Sequence, residues 1–258
     1  MLNLNEIISQ FSPYLHDQKR NILREYLQYK ILEIIFDSKY ANKLSFLGGT
    51  ALRIVYNNSR FSDDLDFDNF NLTKDDFANL SLIIKERLHK EGFEVDVRNV
   101  FKSAFRTYIK IPDILFQNQI SPYKNEVLLI QVDTVPHYYD YKVDRKLLNK
   151  FGVFTEINVT PLPILLAQKI YAAFQRKRTQ GRDFYDIVFL MSFNVDPDFN
   201  YLKKAIDVKN KVELKKYILR NSKNLDFTKL AFDFEYFLFK RNDTKRVLLF
   251  KEYIKSVL

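Results

Sequence analysis

Cysteine is absent from the 258 residues, which excludes disulfides, thiolate metal sites and cysteine nucleophiles together. No run reaches the roughly 18 consecutive apolar residues of a membrane span. The opening MLNLNEIISQF shows no basic segment followed by an apolar one. The expectation is a soluble, cytoplasmic protein with no membrane partner. Histidine is scarce. His16, His89 and His137 show no metal-ligand spacing and no serine or cysteine partner, so none is assigned chemistry. Glycine numbers five, and two of the five are adjacent at Gly48 and Gly49. What is abundant is apolar side chain, 47% hydrophobic with 16% aromatic, enough to fill a core and to exclude wholesale disorder. The length fits one large domain or two small ones.

Balancing negative charge is what the last part of the chain lacks. Residues 161–258 hold 20 Lys and Arg against 11 Asp and Glu, whereas residues 1–160 hold 21 of each. The net charge of +9 therefore lies wholly in the later stretch. Such asymmetry is the electrostatic footprint of a surface that meets polyanions. Lysine-rich solvated helix faces give the same count, so charge alone leaves both readings open.

Apolar residues at helical spacing predict an opening helix over 16–37. KLSFL then predicts a strand, Gly48-Gly49 a tight turn, and Thr50 onward a short helix. DLDFDNF alternates with the period of a strand. Thr73 reads as the N-cap of a helix reaching about Lys90. FEVDVRNVF and AFRTYIKI read as paired strands, and NEVLLIQVDTV and FGVFTEINV as two more. After Pro161 and Pro163 the spacing is helical throughout. The fold class expected is α/β (α+β): a core domain over 1–160, with a mixed sheet flanked by helices, then a basic all-helical domain over 161–258.

The segment GGTALRIVYNNSRFSDDLDF concentrates the chemistry. On a strand, Asp64, Asp66 and Asp68 share one face while Leu65 and Phe67 anchor the other. Crowded carboxylates repel unless a cation sits between them, and hard oxygen ligands suit Mg²⁺ or Mn²⁺. Gly48 and Gly49 let backbone N–H groups approach a phosphate, at the positive end of the helix that follows. Thr50 can cap that helix or offer its hydroxyl, and Arg60 reads as a phosphate clamp. An EF-hand is excluded, because Asn69 replaces the required glycine and Asp75 the bidentate glutamate.

These positions resemble a known pattern. Gly48, Gly49, Ala51, Leu52, Arg60, Ser62, Asp64, Asp66 and Phe67 are similar to the first motif of the nucleotidyltransferase superfamily that includes DNA polymerase β. More closely they resemble the AbiEii/AbiGii toxin branch, with its Gly-Gly-x-Ala-Leu and Arg-x-Ser-x-Asp-x-Asp-Phe. The resemblance implies a nucleotidyltransferase core and a third acid on a neighbouring strand. Asp133 in LLIQVDTV fits that place as metal ligand or proton acceptor, and equally as an ordinary strand-end aspartate. Lys169, Arg182, Asp183 and Asp186 match the later motifs. Lys169 reaches a triphosphate on this reading, or snorkels to the surface. Asp183 and Asp186 share a helix face and orient Lys169 or Arg182 or contact nucleotide; an N-terminal cap is the plain alternative for Asp183.

The resemblance thus implies a metal-dependent transfer of a nucleoside monophosphate from an NTP to an acceptor hydroxyl, expelling pyrophosphate. Asp64, Asp66 and Asp133 are the expected metal set, with Mg²⁺ or Mn²⁺ as cofactor. Asp64, Asp66, Asp133, Lys169 and Asp186 are the expected catalytic residues. Gly48, Gly49, Thr50, Arg60, Ser62, Lys169, Arg182 and Asp183 are the expected nucleotide-binding residues. Family precedent points to the tRNA 3′ end as acceptor, to a toxin role, and to a cognate antitoxin. Transfer to a protein or small-molecule hydroxyl, or a non-catalytic nucleotide- or RNA-binding module, are the alternatives.

Overall fold

The computed structural model describes residues 2–137 and 139–258. It divides into two compact units, Met1–Tyr56 with Phe61–Thr160, and Asn57–Arg60 with Pro161–Leu258. Residues 57–60 thus pack with the later half of the chain, although they lie in sequence between two parts of the first unit. No helix among the described residues is long and apolar enough to cross a membrane.

The first unit is built on a seven-stranded mixed sheet in the order β3-β4-β5-β2-β1-β7-β6. The strands are β1 (Leu44–Leu47), β2 (Leu65–Asn69), β3 (Asp96–Phe101), β4 (Phe105–Ile111), β5 (Leu128–Pro136), β6 (Asp144–Lys150) and β7 (Val153–Val159). β2 runs parallel to β5, and β1 parallel to β7; the remaining pairs are antiparallel. The acidic strand β2 therefore occupies the middle of the sheet. Its helices are α1 (Leu4–Ile8), α2 (Lys19–Phe36), α3 (Gly48–Tyr56), α4 (Lys74–Lys90) and α5 (Ile114–Gln117). α2 packs against β7 and α4 and buries Ile31, Ile35 and Phe36; the Phe36 ring meets Phe67, whose ring also meets Phe46. Thr73 caps α4 as expected, its hydroxyl accepting from the Asp76 N–H in a capping box.

One local reading of the sequence is refined and one corrected. The chain passes from β1 into α3 with no separate loop, and Gly48, at φ +81°, makes the turn at the mouth of the helix itself. FGVFTEINV is not continuous strand. Phe151 and Gly152, at φ +59° and +75°, form the two-residue turn of a β6–β7 hairpin, which demands left-handed backbone at both positions. Phe151 tolerates this because its ring is buried edge-on against Tyr26 and Tyr29.

The second unit is helical among its described residues, apart from one isolated bridge between Arg60 and Leu238. It comprises α6 (Leu162–Gln175), α7 (Gly181–Met191), α8 (Phe199–Ile206), α9 (Lys211–Asn221), α10 (Phe227–Phe232), α11 (Lys245–Leu248) and α12 (Phe250–Val257), with short 3-10 turns. α7 is its centre: Phe184 meets Phe174, Phe227 and Phe250 edge to face. Gly181 starts α7 where an added Cβ would lie 1.8 Å from the Leu230 carbonyl oxygen, so α10 sits too close for any side chain there.

Candidate active site

Within the first unit, glycine and acid are matched to each other. Gly48 has φ +81°, and a Cβ placed on it would lie 2.4 Å from Asp66 Oδ2 and 3.0 Å from the Asp66 Cβ. Leu47 and Asp66 are register partners on β1 and β2, which brings the Asp66 carboxylate over the start of α3. The glycine is required by conformation and by space at once. From Asp64 to Phe67 the alternation holds: Leu65 and Phe67 are buried, while Asp64 and Asp66 are half-buried.

The segment leading into β2 is held from two helices. The buried Gln28 side chain donates to the Ser62 and Asp63 carbonyls, each at 2.9 Å. Arg24 pairs with the Asp63 carboxylate at 2.5 Å. The Thr50 hydroxyl, wholly buried, donates to the Asp64 carbonyl, so it serves the loop in place of an exposed contact. Asp68 differs from Asp64 and Asp66, with which the sequence groups it on one face. It is buried, accepts from the Tyr141 hydroxyl at 2.6 Å, and lies 3.1 Å from His137 Nδ1. Gln28, Arg24 and Tyr141 carried no signal in the sequence, since each acts through a partner distant along the chain.

Asp133 stands beside Asp66, its register partner on β5. Its carboxylate is occupied: Arg106 on β4 donates through Nε and Nη2 to the two oxygens, both at 2.7 Å, and Gln131 adds a contact at 3.0 Å. Among the described residues no group of three or more His, Cys, Asp or Glu is arranged to hold a metal ion. In this structure the Asp133 carboxylate is engaged as the ion-pair partner of Arg106.

The second unit carries a buried charge network. Arg60, 1% exposed, is bidentate to Asp186, with Nε to Oδ1 at 2.8 Å and Nη2 to Oδ2 at 2.6 Å. Its guanidinium is thus engaged by a carboxylate of its own chain, where the sequence offers it as a phosphate clamp. Asn58 donates to Asp186 Oδ1 at 3.1 Å, and Lys169 Nζ lies 2.8 Å from Asp186 Oδ2 and 3.5 Å from Asp183 Oδ1. Lys169 is 8% exposed, so it does not snorkel. Burial alone would raise the Asp186 carboxyl, but Arg60 and Lys169 outweigh it and bring it down to about 2. Asp183 is fully buried and accepts no hydrogen bond, making only ion pairs with Lys169 and with Arg176 Nε at 3.4 Å; it does not cap α7. Arg182 donates to Gln180 at 2.7 Å and lines a cavity of about 240 Å³ with Arg178, Gly181 and Phe234.

The fold has solved counterparts. JHP933 from Helicobacter pylori is similar at 16% identity and a TM-score of 0.56, covering 92% of this chain and 91% of its own. A candidate nucleotidyltransferase from H. pylori is similar at 16% identity and a TM-score of 0.53, covering 91% and 94%. At such identity the likeness is one of fold. No curated protein matches the sequence. The family of the nucleotidyl transferase AbiEii toxin, of a Type IV toxin–antitoxin system, matches over residues 30–247. The chain belongs to the AbiEii nucleotidyltransferase toxin family.

Proposed function

We propose that this protein transfers a nucleoside monophosphate from an NTP to a hydroxyl of RNA, at the tRNA 3′ end, as the toxin of a toxin–antitoxin pair with a cognate antitoxin. The observation that carries the reading is the fit of Asp66 over Gly48, in a chain whose family is one of nucleotidyltransferases. Asp64 and Asp66 are hard, half-exposed oxygen donors on a rigidly held segment, and they suit Mg²⁺ or Mn²⁺ with phosphate and water completing the shell. The ion, when bound, supplies Lewis-acid stabilisation of phosphate oxygens. The chain's own part is positional. Gln28, Arg24 and Thr50 fix the backbone of residues 62–64, so the carboxylates need no reorganisation when charge develops. The N–H groups at the start of α3 favour an anion. Nucleotide-facing roles for Ser62, Lys169, Arg182 and Asp183, and a catalytic one for Asp186, rest on their match to the family motifs.

RNA is favoured as acceptor by the basic excess of residues 161–258. On α9 and the turn before it, Lys209, Lys216, Tyr217 and Arg220 border an open cavity of about 470 Å³ together with Asp207 and Glu213, the cations outnumbering the acids beside an aromatic ring. The test is incubation with each labelled NTP, Mg²⁺ and total RNA, with Asp64→Asn alongside. Label entering tRNA-sized RNA with wild type alone is expected. Label in protein or in small molecules would move the acceptor, and equal label from the variant would overturn the assignment of Asp64.

A further inference from the structure

Three neighbouring strands of the first unit carry one aligned row of charged side chains. Arg106 on β4 faces Asp133 on β5, and Asp133 faces Asp66 on β2. Register partners project from the same face of a sheet, so the row presents one guanidinium and two carboxylates together. We infer that Arg106 is a phosphate-binding residue for the nucleotide, and that Asp133 is the positioning residue that holds it. This rests on the nucleotidyl-transfer reading given above.

The geometry favours this assignment over a third metal ligand. Two Arg106 nitrogens reach the two oxygens of Asp133 at 2.7 Å, and Gln131 reaches Oδ2 at 3.0 Å. A carboxylate that accepts three N–H groups has little left for an ion, and a cation is already beside it. Arg106 is not similarly exhausted. A guanidinium has five N–H groups. Two are spent on Asp133, and Nη1 makes only a long contact of 3.5 Å to the Tyr108 hydroxyl. The side chain remains 39% exposed, against 14% for Asp133. The arginine is thus the outward member of the pair and the acid the inward one.

The other cations near the motif are spent differently. Arg24 is taken by Asp63 and Arg53 by Glu25, while Arg60 is buried on Asp186. A triphosphate approaching Asp64 and Asp66 meets like charge and needs a fixed cation. A guanidinium whose plane is locked by a bidentate partner presents its remaining N–H groups in the fork that fits phosphate. An ordinary cross-strand ion pair has the same contacts with Asp133, so the two readings separate only in what happens to nucleotide.

The test uses the full chain and two binding measurements. Affinity for α,β-methylene NTP analogues with Mg²⁺ is measured by calorimetry, and Mn²⁺ affinity without nucleotide by electron paramagnetic resonance. Arg106→Ala and Asp133→Asn are each expected to weaken the analogue on the order of tenfold to a hundredfold. The double variant should be no weaker than Arg106→Ala. Arg106→Lys should recover part of the loss, and Mn²⁺ affinity should be unchanged in Asp133→Asn. Unchanged analogue binding in Arg106→Ala would reduce the pair to a surface ion pair. Weaker Mn²⁺ binding in Asp133→Asn, with stronger binding in Arg106→Ala, would make Asp133 a metal ligand that Arg106 masks. Thermal melting checks folding, with Arg106→Gln replacing any variant that melts without cooperativity. Absence of analogue binding by wild type would overturn the transfer reading and this inference with it; an effect confined to the variants isolates the inference.

Discussion

At Gly48 two requirements coincide, a left-handed backbone and a carboxylate where a Cβ would stand. Alanine satisfies neither. Gly48→Ala is expected to lose about 1–2 kcal/mol from the backbone alone and to displace Asp66. Thermal unfolding reads the first effect and Mn²⁺ affinity the second; wild-type values of both would contradict the fit. Asp186 gives a pH prediction of definite sign. Its carboxyl is lowered to about 2 in the fold, below its unfolded value. Its contribution is therefore complete above roughly pH 4 and is lost as pH falls toward 2, with a size of about 2 kcal/mol. Urea unfolding followed by circular dichroism should weaken over that window, and Asp186→Asn should show a shallower slope. The sequence conveyed the sorting of β2, because a period of two assigns Leu65 and Phe67 inward and Asp64 and Asp66 outward without further information. It could not convey the fate of Arg60. Its partner lies 126 residues away, and a conspicuous arginine beside aspartates invites a phosphate that the fold does not offer it.

At the scale of elements, the carbonyls of residues 62 and 63 depend on α2. Gln28→Leu leaves both without their donor, and a loss of about 1–3 kcal/mol is expected. Nucleotide transfer should fall further than stability, since Asp64 and Asp66 follow this segment. Chemical denaturation and turnover on labelled NTP measure the two. A turnover equal to wild type would mean that the segment holds itself. Gln28 was hidden because it sits in a helix that announces itself by apolar spacing, with its contacts 34 and 35 residues on. β6 was hidden for another reason. DRKLLNK is an edge strand with only Leu148 buried, and exposed charge is how edges avoid pairing with other chains, which erases the alternation that marks a strand. The interior strands and the long helices were legible because burial of one face writes a period into them.

For the whole molecule, the concentration of positive charge after Pro161 was plain from composition, and the helical character of that stretch from its spacing. Binding of tRNA should weaken steeply between 50 and 200 mM salt. Replacing Lys209, Lys216 and Arg220 by alanine should lower the slope of log affinity against log salt by about 2, at roughly 0.7 per phosphate contact on single strands. An unchanged slope would place the acceptor elsewhere. The crossing of residues 57–60 into the helical unit was not legible, since nothing local distinguishes a linker that returns. It has a consequence for biosynthesis. Arg60 leaves the ribosome 126 residues ahead of Asp186, an interval of roughly 6–25 s at ordinary elongation rates. A guanidinium cannot be buried without its counter-ion, so residues 57–60 stay unsettled over that interval. The order of translation thus delays the burial of Arg60 until α7 has emerged.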